Sequence, residues 1–194
     1  MGQRRSRCWW VFVLVLGVCM SVVEPLDAAS FVLSDQERDE ALRTGKRSIV
    51  NEEFGAEWTV GNGPGQKVTI MTPFHRLALA ARNAAFRGQD LKPRDIESLL
   101  KDDGRIVLWV TLRGAKADFA RFYTPTLVGA QDIKPAFTQN ERTAQGQQDG
   151  SYSARCMYVF AVQELNPRGK ATLIVKDHDE KPVAKFTLDF AVMR

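Results

Sequence analysis

Residues 104–114, GRIVLWVTLRG, constrain this chain more than any other stretch. Two glycines bracket a run whose alternate side chains are Ile106, Leu108, Val110 and Leu112 at one parity and Val107 and Trp109 at the other. Side chains alternate across a strand, so a run that is apolar at both parities predicts a strand with a packed layer against each face. The expectation is a central strand in which Trp109 is largely buried on one side and Leu108 and Val110 on the other.

The C-terminal half of the chain, beyond this run, reads as β. Residues 152–163 alternate between Tyr152, Ala154, Cys156, Tyr158, Phe160 and Val162 and the set Ser153, Arg155, Met157, Val159 and Ala161. Asn166-Pro167-Arg168-Gly169 marks a turn. Residues 171–176 and 183–192 predict a hairpin around 177–182, its last strand turning Ala184, Phe186, Leu188, Phe190 and Val192 inward. Residues 122–128 predict a strand in which Pro125, having no N–H to donate, calls for an edge or a bulge. Residues 115–121 read as a short helical turn. Residues 129–151 read as a mobile surface loop, because 138–150 contains no large apolar side chain.

The N-terminal half reads as helices with two short strands. Ser34 and Glu37 have capping-box spacing, and a helix is expected over 35–44, ended by Gly45, with an Asp39–Arg43 ion pair one turn apart. With only Ala41 and Leu42 apolar, it is expected to be peripheral. Thr72-Pro73 supplies an N-cap and a first-turn proline, after which Phe74, Leu77, Ala78, Ala81 and Ala85 recur at helical spacing as far as Gly88. A third helix starts near Pro93, carries Ile96, Leu99 and Leu100, and stops at Asp102-Asp103-Gly104. Residues 57–60 and 67–71 are strand candidates. Between them Gly61-Asn62-Gly63-Pro64-Gly65 is a turn rather than a phosphate loop, since its glycines lead into a strand and not into a helix N-terminus.

The fold class is therefore α+β. An antiparallel, β-sandwich-like arrangement of about six to seven strands, immunoglobulin-like in size, is expected, with two or three helices of the N-terminal half covering one face. The competing arrangement is one antiparallel sheet with helices on a single face. Periodicity does not separate them.

The N-terminus adds a compartment. Arg4, Arg5 and Arg7 precede residues 8–23, which carry no charge, and small residues end Pro25-Leu26-Asp27-Ala28-Ala29. This is the pattern of a secretory signal, residues 1–29, cleaved after Ala28 or Ala29 to release a single exported domain over 30–194. An uncleaved membrane anchor is the competing reading, although the apolar run is shorter than the roughly 18 residues a spanning helix needs. A lipid anchor on Cys19 is a further one, weakened by the bulk of Val18. Arg7 argues against twin-arginine export. Cleavage removes Cys8 and Cys19 and leaves Cys156 alone, so the core rather than a disulfide must hold the exported domain together. The whole chain of 194 residues carries a formal charge of +4 from 27 basic and 23 acidic side chains spread along it, which does not call for a nucleic-acid partner.

Candidate chemistry is sparse. The only histidines are His75 and His178. His75 lacks a second histidine one turn on and an adjacent carboxylate. Asp177, His178, Asp179 and Glu180 offer oxygen and nitrogen ligands to a divalent cation, but consecutive side chains in a tight turn diverge and calcium-loop spacing is missing. Cys156 falls on an aromatic strand face, where packing explains it better than nucleophilic attack. No serine sits in a nucleophile elbow. Glu52-Glu53 and Asp102-Asp103 have the chemistry for acid–base work but no pocket legible in sequence. Arg76, Arg82, Arg87, Lys92 and Arg94 form a basic stretch opposed only by Asp90 before Asp95, able to face an anionic polymer or lipid headgroups, though helical spacing scatters the three helix arginines around the axis.

These observations lead to a non-enzymatic exported protein of a bacterial cell envelope, a binding or interaction module whose partner is an envelope protein or an anionic surface polymer. No cofactor is expected, and membrane contact is expected only through a retained or lipidated N-terminus. An exported metal-dependent hydrolase using Asp177, His178, Asp179 and Glu180 is one alternative, and a membrane-tethered structural subunit is another.

Overall fold

The computed structural model describes residues 31–101 and 104–194. The readings of 1–29 as a signal or anchor, and of Asp102-Asp103 as a carboxylate pair, lie outside the described residues. Among the described residues no helix is long and apolar enough to cross a membrane. Over these residues the chain is α+β, with three α-helices and two antiparallel sheets, one of six strands and one of four.

Helix α1 (Asp35–Arg47) opens with the expected capping box: Ser34 Oγ accepts from the Glu37 N–H at 3.3 Å while Glu37 accepts from the Ser34 N–H at 2.7 Å. It does not end at Gly45. Gly45 is buried inside the helix, where a Cβ would collide with the Ala78 carbonyl and the Ala81 methyl of α2 (Pro73–Phe86). The glycine that reads as a stop is instead the point at which two helices touch, and a short element with few apolar residues is docked rather than peripheral. The expected Asp39–Arg43 pair is replaced by Arg43–Glu40 at 2.8 Å. Helix α2 starts as read, with Thr72 Oγ1 accepting from the His75 N–H at 3.1 Å. Helix α3 (Pro93–Leu100) is tied to α2 by the Arg76 guanidinium, which donates to the Leu99 carbonyl.

The larger sheet runs β1 (Thr59–Gly61), β2 (Lys67–Met71), β3 (Arg105–Gly114), β8 (Tyr152–Ala161), β6 (Phe137–Gln139), with β7 (Gln145–Gly146) also on β8. The smaller runs β10 (Pro182–Asp189), β9 (Lys170–Lys176), β4 (Thr124–Val128), β5 (Asp132–Ile133). Strand β3 is central, pairing β2 and β8 with Leu108 opposite both Ile70 and Tyr158. Residues 129–151, expected as a loop, carry the three short strands β5, β6 and β7, because backbone pairing needs no apolar side chains. Residues 115–121, read as a short helical turn, hold a bend followed by i→i+3 turns, the Phe119 N–H donating to Lys116 and the Arg121 N–H to Asp118, without a continuous helix. Pro125 behaves as read: β5 pairs only with Leu127 and Val128, leaving the outer edge of β4 beside Pro125 unpaired.

One core cluster joins both sheets and α2, drawing on Ile70, Leu77, Ile106, Leu108, Leu127, Tyr158, Phe160, Leu173 and Phe186. Two expectations about it are corrected. First, β3 is closed on one face only: Ile106, Leu108, Val110 and Leu112 are buried, whereas Val107, Trp109 and Thr111 are half-buried. Second, strand alternation stops at Asp189, whose carboxylate accepts from the Ala191 N–H and starts a short 3-10 helix over Phe190–Val192. Val192 is consequently exposed and Met193 takes the inward place. The end of this segment is fastened by Arg194, whose backbone oxygen accepts from Trp58 Nε1 at 2.7 Å and Thr72 Oγ1 at 2.8 Å, and whose guanidinium meets Glu57 at 3.0 Å.

Candidate functional site

The half-buried face of β3 is one wall of a cleft of about 430 Å³. The sheet contributes Thr69 and Met71 from β2, Trp109 from β3 and Arg155 from β8. Thr69 is opposite Trp109, and Arg155 is two residues from Met157, the β8 partner of Trp109. These positions share one parity and therefore one face. The facing wall is His75, Leu79 and Arg82, spaced four and three residues apart along α2 and hence on one side of it. Residues 52–56 close the end, bringing in Glu52, Glu53 and Phe54. Gly55, at φ 96°, permits that bend in a conformation other residues rarely adopt.

His75 lies at the base and is only 3 % exposed. Its Nδ1 is 2.8 Å from the Ile70 carbonyl, which can only accept, so the ring proton sits on Nδ1 and Nε2 is left as an acceptor near Gly55. Trp58 stacks on the imidazole at 4.2 Å and 7° between planes. Burial pushes the His75 pKa below its ordinary 6.5, against the smaller opposing influences of the Ile70 hydrogen bond and the Glu57 charge. The ring is therefore neutral at neutral pH and has a fixed tautomer.

The two cleft arginines rest on aromatic rings. Arg82 lies 4.9 Å from the centroid of Phe54 and donates to the Ser48 carbonyl at 2.8 Å and the Asn51 carbonyl at 3.2 Å. Arg155 lies 4.5 Å over Trp109 and, among the described residues, has no carboxylate bound to its guanidinium. Its backbone N–H donates to Glu141 at 2.6 Å. The Thr59 and Thr69 hydroxyls are 3.2 Å apart, and Thr59 also donates to the Gly55 carbonyl. The cleft is thus an apolar trough with guanidinium donors, one neutral imidazole acceptor and two carboxylates at its end.

The residues singled out from sequence are dispersed. Of the basic stretch, Arg82 enters the cleft, Arg76 is engaged with Leu99, and Arg87, Lys92 and Arg94 are exposed, with Arg87 at the C-cap of α2 and Lys92 at the N-cap of α3. Asp177, His178 and Asp179 do converge, against the expected divergence, with one ligand atom from each within 4.8 Å of the others. Glu180 does not join them and pairs with Lys176 at 3.1 Å. Asp177 Oδ1 accepts from the N–H groups of Asp179 and Lys181, both at 2.9 Å, which accounts for its position as a turn anchor. Cys156 is a free, buried thiol whose pKa is raised by burial. Glu52 and Glu53 gain a pocket that sequence could not supply. Sequence reasoning misses Trp109, Phe54 and Arg155 as site residues, and the one available signal is Arg155, the single charge within β8.

No family model matches this chain, and no curated protein sequence matches it. A solved structure similar to it, described as a novel protein of unknown function from Burkholderia pseudomallei K96243, shares 8% identity and aligns over 83% of this chain and 92% of that one with a TM-score of 0.42.

Proposed function

We propose that this chain is a non-enzymatic binding module of a bacterial cell envelope, with its ligand seated in the cleft between residues 52–56, α2 and the β2–β3–β8 face. The observation that carries the reading is the seating of both cleft guanidiniums on aromatic rings, Arg82 on Phe54 and Arg155 on Trp109. A cation resting on a ring offers apolar surface and N–H donors in one place, a combination suited to holding a ligand with an apolar or ring-bearing body and an anionic or hydrogen-bonding substituent. Recognition is favoured over bond-making because His75 is held by Ile70 and Trp58 and because the nearby hydroxyls of Thr59 and Thr69 face each other. The compartment rests on the signal-like pattern of residues 1–29. In this reading the two sheets are the layers of a β-sandwich of immunoglobulin-like size, and the partner is an envelope protein or an anionic surface polymer.

The test is affinity isolation of tagged residues 30–194 from envelope extract, run beside the Trp109→Ala/Arg155→Ala variant. One envelope component should be recovered with the native chain and lost with the variant while both melt cooperatively. Equal recovery from both would overturn the assignment to this cleft.

One observation favours a second reading, a metal-dependent hydrolase: the convergence of Asp177, His178 and Asp179. It requires that calcium, manganese or zinc raise the melting temperature relative to chelator and that turnover disappear in His178→Ala. No shift with any of the three ions ends it.

A further inference from the structure

A second cleft, of about 480 Å³, is lined by Arg121, Phe122, Thr138, Gln139, Asn140 and Arg142. We infer that it is an anion site, built to take a phosphate group carried on an organic body. This goes beyond the reading of the first cleft and shares no lining residue with it.

Charge is the first argument. Two of the six lining side chains are guanidiniums and none is a carboxylate. Among the described residues neither Arg121 nor Arg142 has an ion-pair partner, although carboxylates engage arginines and lysines elsewhere on the surface. Glu141, the acid nearest in sequence, is turned away to accept from the Arg155 N–H. Two like charges lining one cleft without a neutralising carboxylate repel, and a phosphate dianion bound there would offset that repulsion and take up guanidinium N–H donors. Thr138, Gln139 and Asn140 complete the lining with uncharged polar residues.

Preorganisation is the second argument. The walls come from two separate segments, 121–122 before β4 and 138–142 at and after β6, and hydrogen bonds fasten them together. Asn140 Nδ2 donates to the Tyr123 carbonyl at 2.7 Å, and the Ala144 N–H donates to the Ala117 carbonyl at 2.7 Å. The cleft therefore exists before a ligand arrives. Phe122 is the third: it is 65% exposed, and the Arg121 guanidinium lies 5.2 Å from its ring. An exposed aromatic ring beside an anion hole is a shelf for the apolar part of a phosphate ester.

The source of the phosphate, a soluble ester or a lipid headgroup, is distinguished by experiment. Binding of inorganic phosphate and of phenyl phosphate is measured by calorimetry at constant ionic strength, and binding to phosphatidylglycerol vesicles by co-sedimentation against phosphatidylcholine vesicles. Each is repeated with Arg121→Gln/Arg142→Gln and with the control Arg168→Gln/Lys185→Gln, which removes the same charge from exposed positions elsewhere. Saturable phosphate binding that weakens by at least about tenfold in the first variant and holds in the control supports the site with a soluble ligand. Vesicle binding with the same variant pattern, in the absence of phosphate binding, supports it with a lipid. No saturable binding of any probe, or equal weakening in both variants, overturns it. All four side chains belong to residues at the surface, and a matching melting temperature shows that a loss of binding is not a loss of folding.

Discussion

Both faces of β3 carry large apolar side chains, and they meet opposite fates. On one face Ile106, Leu108 and Val110 are fully excluded from solvent and join Leu127, Leu173 and Phe186 of the second sheet in a single core. On the other, Val107 and Trp109 are half-buried, and Trp109 lies under Arg155 in a cleft that α2 and residues 52–56 also line. The difference lies in what faces each side. The inner side chains belong to the one buried cluster shared with the second sheet, whereas one helix, one loop and one long cationic side chain only partly cover the outer face and leave a trough. One strand therefore holds the fold together through one parity and furnishes a binding wall through the other. Apolar character in a strand measures what a face can tolerate against it, and an aromatic ring under a guanidinium tolerates water at its rim.

The sharpest way to break this contrast is to place a carboxylate on each face in turn. Leu108→Asp buries an unpaired charge at the centre of the core and should cost more than about 4 kcal/mol, enough to abolish cooperative melting in a domain whose total stability is of order 5–15 kcal/mol. Trp109→Asp, one residue along, should leave a cooperatively melting protein with the far-ultraviolet circular dichroism of the native chain. Unfolding of both variants would mean that the outer face is as closed as the inner.

The next effect is on pH dependence. The unfolded His75 imidazole titrates near 6.5 and the buried one below it. Below pH 6.5 the unfolded chain takes up a proton that the native state does not, so native stability falls as pH drops from 6.5 to the lowered folded pKa and is unaffected by this group above that window. The slope should reach at most about 1.4 kcal/mol per pH unit. Urea denaturation at pH 7.5 and pH 5.5 should show the loss in the native protein and a smaller loss in His75→Gln. Identical slopes would contradict a neutral histidine at the cleft base.

Removing the roof should cost less. Arg155→Ala should lower stability by about 0.5–1 kcal/mol, the worth of an exposed cation–π contact, while raising the exposure of Trp109 to acrylamide quenching. Unchanged quenching would mean that Arg155 does not cover the ring in solution. The smallest effect belongs to the inner face. Among the described residues the buried Tyr158 hydroxyl has no oxygen or nitrogen partner, and the Cys156 thiol, a weak donor, is beside it. Tyr158→Phe should therefore change stability by less than about 1 kcal/mol in either direction. A larger loss would reveal a hydrogen bond that the packing conceals.

How far these features are legible in the sequence depends on whether their causes are local. The capping box at Ser34 and the Thr72-Pro73 start of α2 are readable because each is made by side chains within three residues of the backbone they satisfy. The two alternating sets of β8 and the inward parity of most of β10 are readable because strand alternation is a property of the chain itself. Gly45 misleads because its role depends on Ala78 and Ala81, more than thirty residues away. Strands β5 to β7 escape notice because their cause is the unpaired edges of β4 and β8 rather than their own side chains. In the first cleft, Arg82 stands out in the sequence as a charge, and Trp109, Phe54 and Arg155 do not stand out as a group at all.

The fold class, the secondary-structure periods and the inward parity of β10 as far as Asp189 follow from the residues alone, since these depend on local sterics, capping chemistry and alternation. Which face of β3 is closed, which arginines lack an ion-pair partner among the described residues and where two clefts open were set by how the elements pack. Those outcomes depend on the distance between side chains far apart in the chain, which nothing short of the packed molecule specifies.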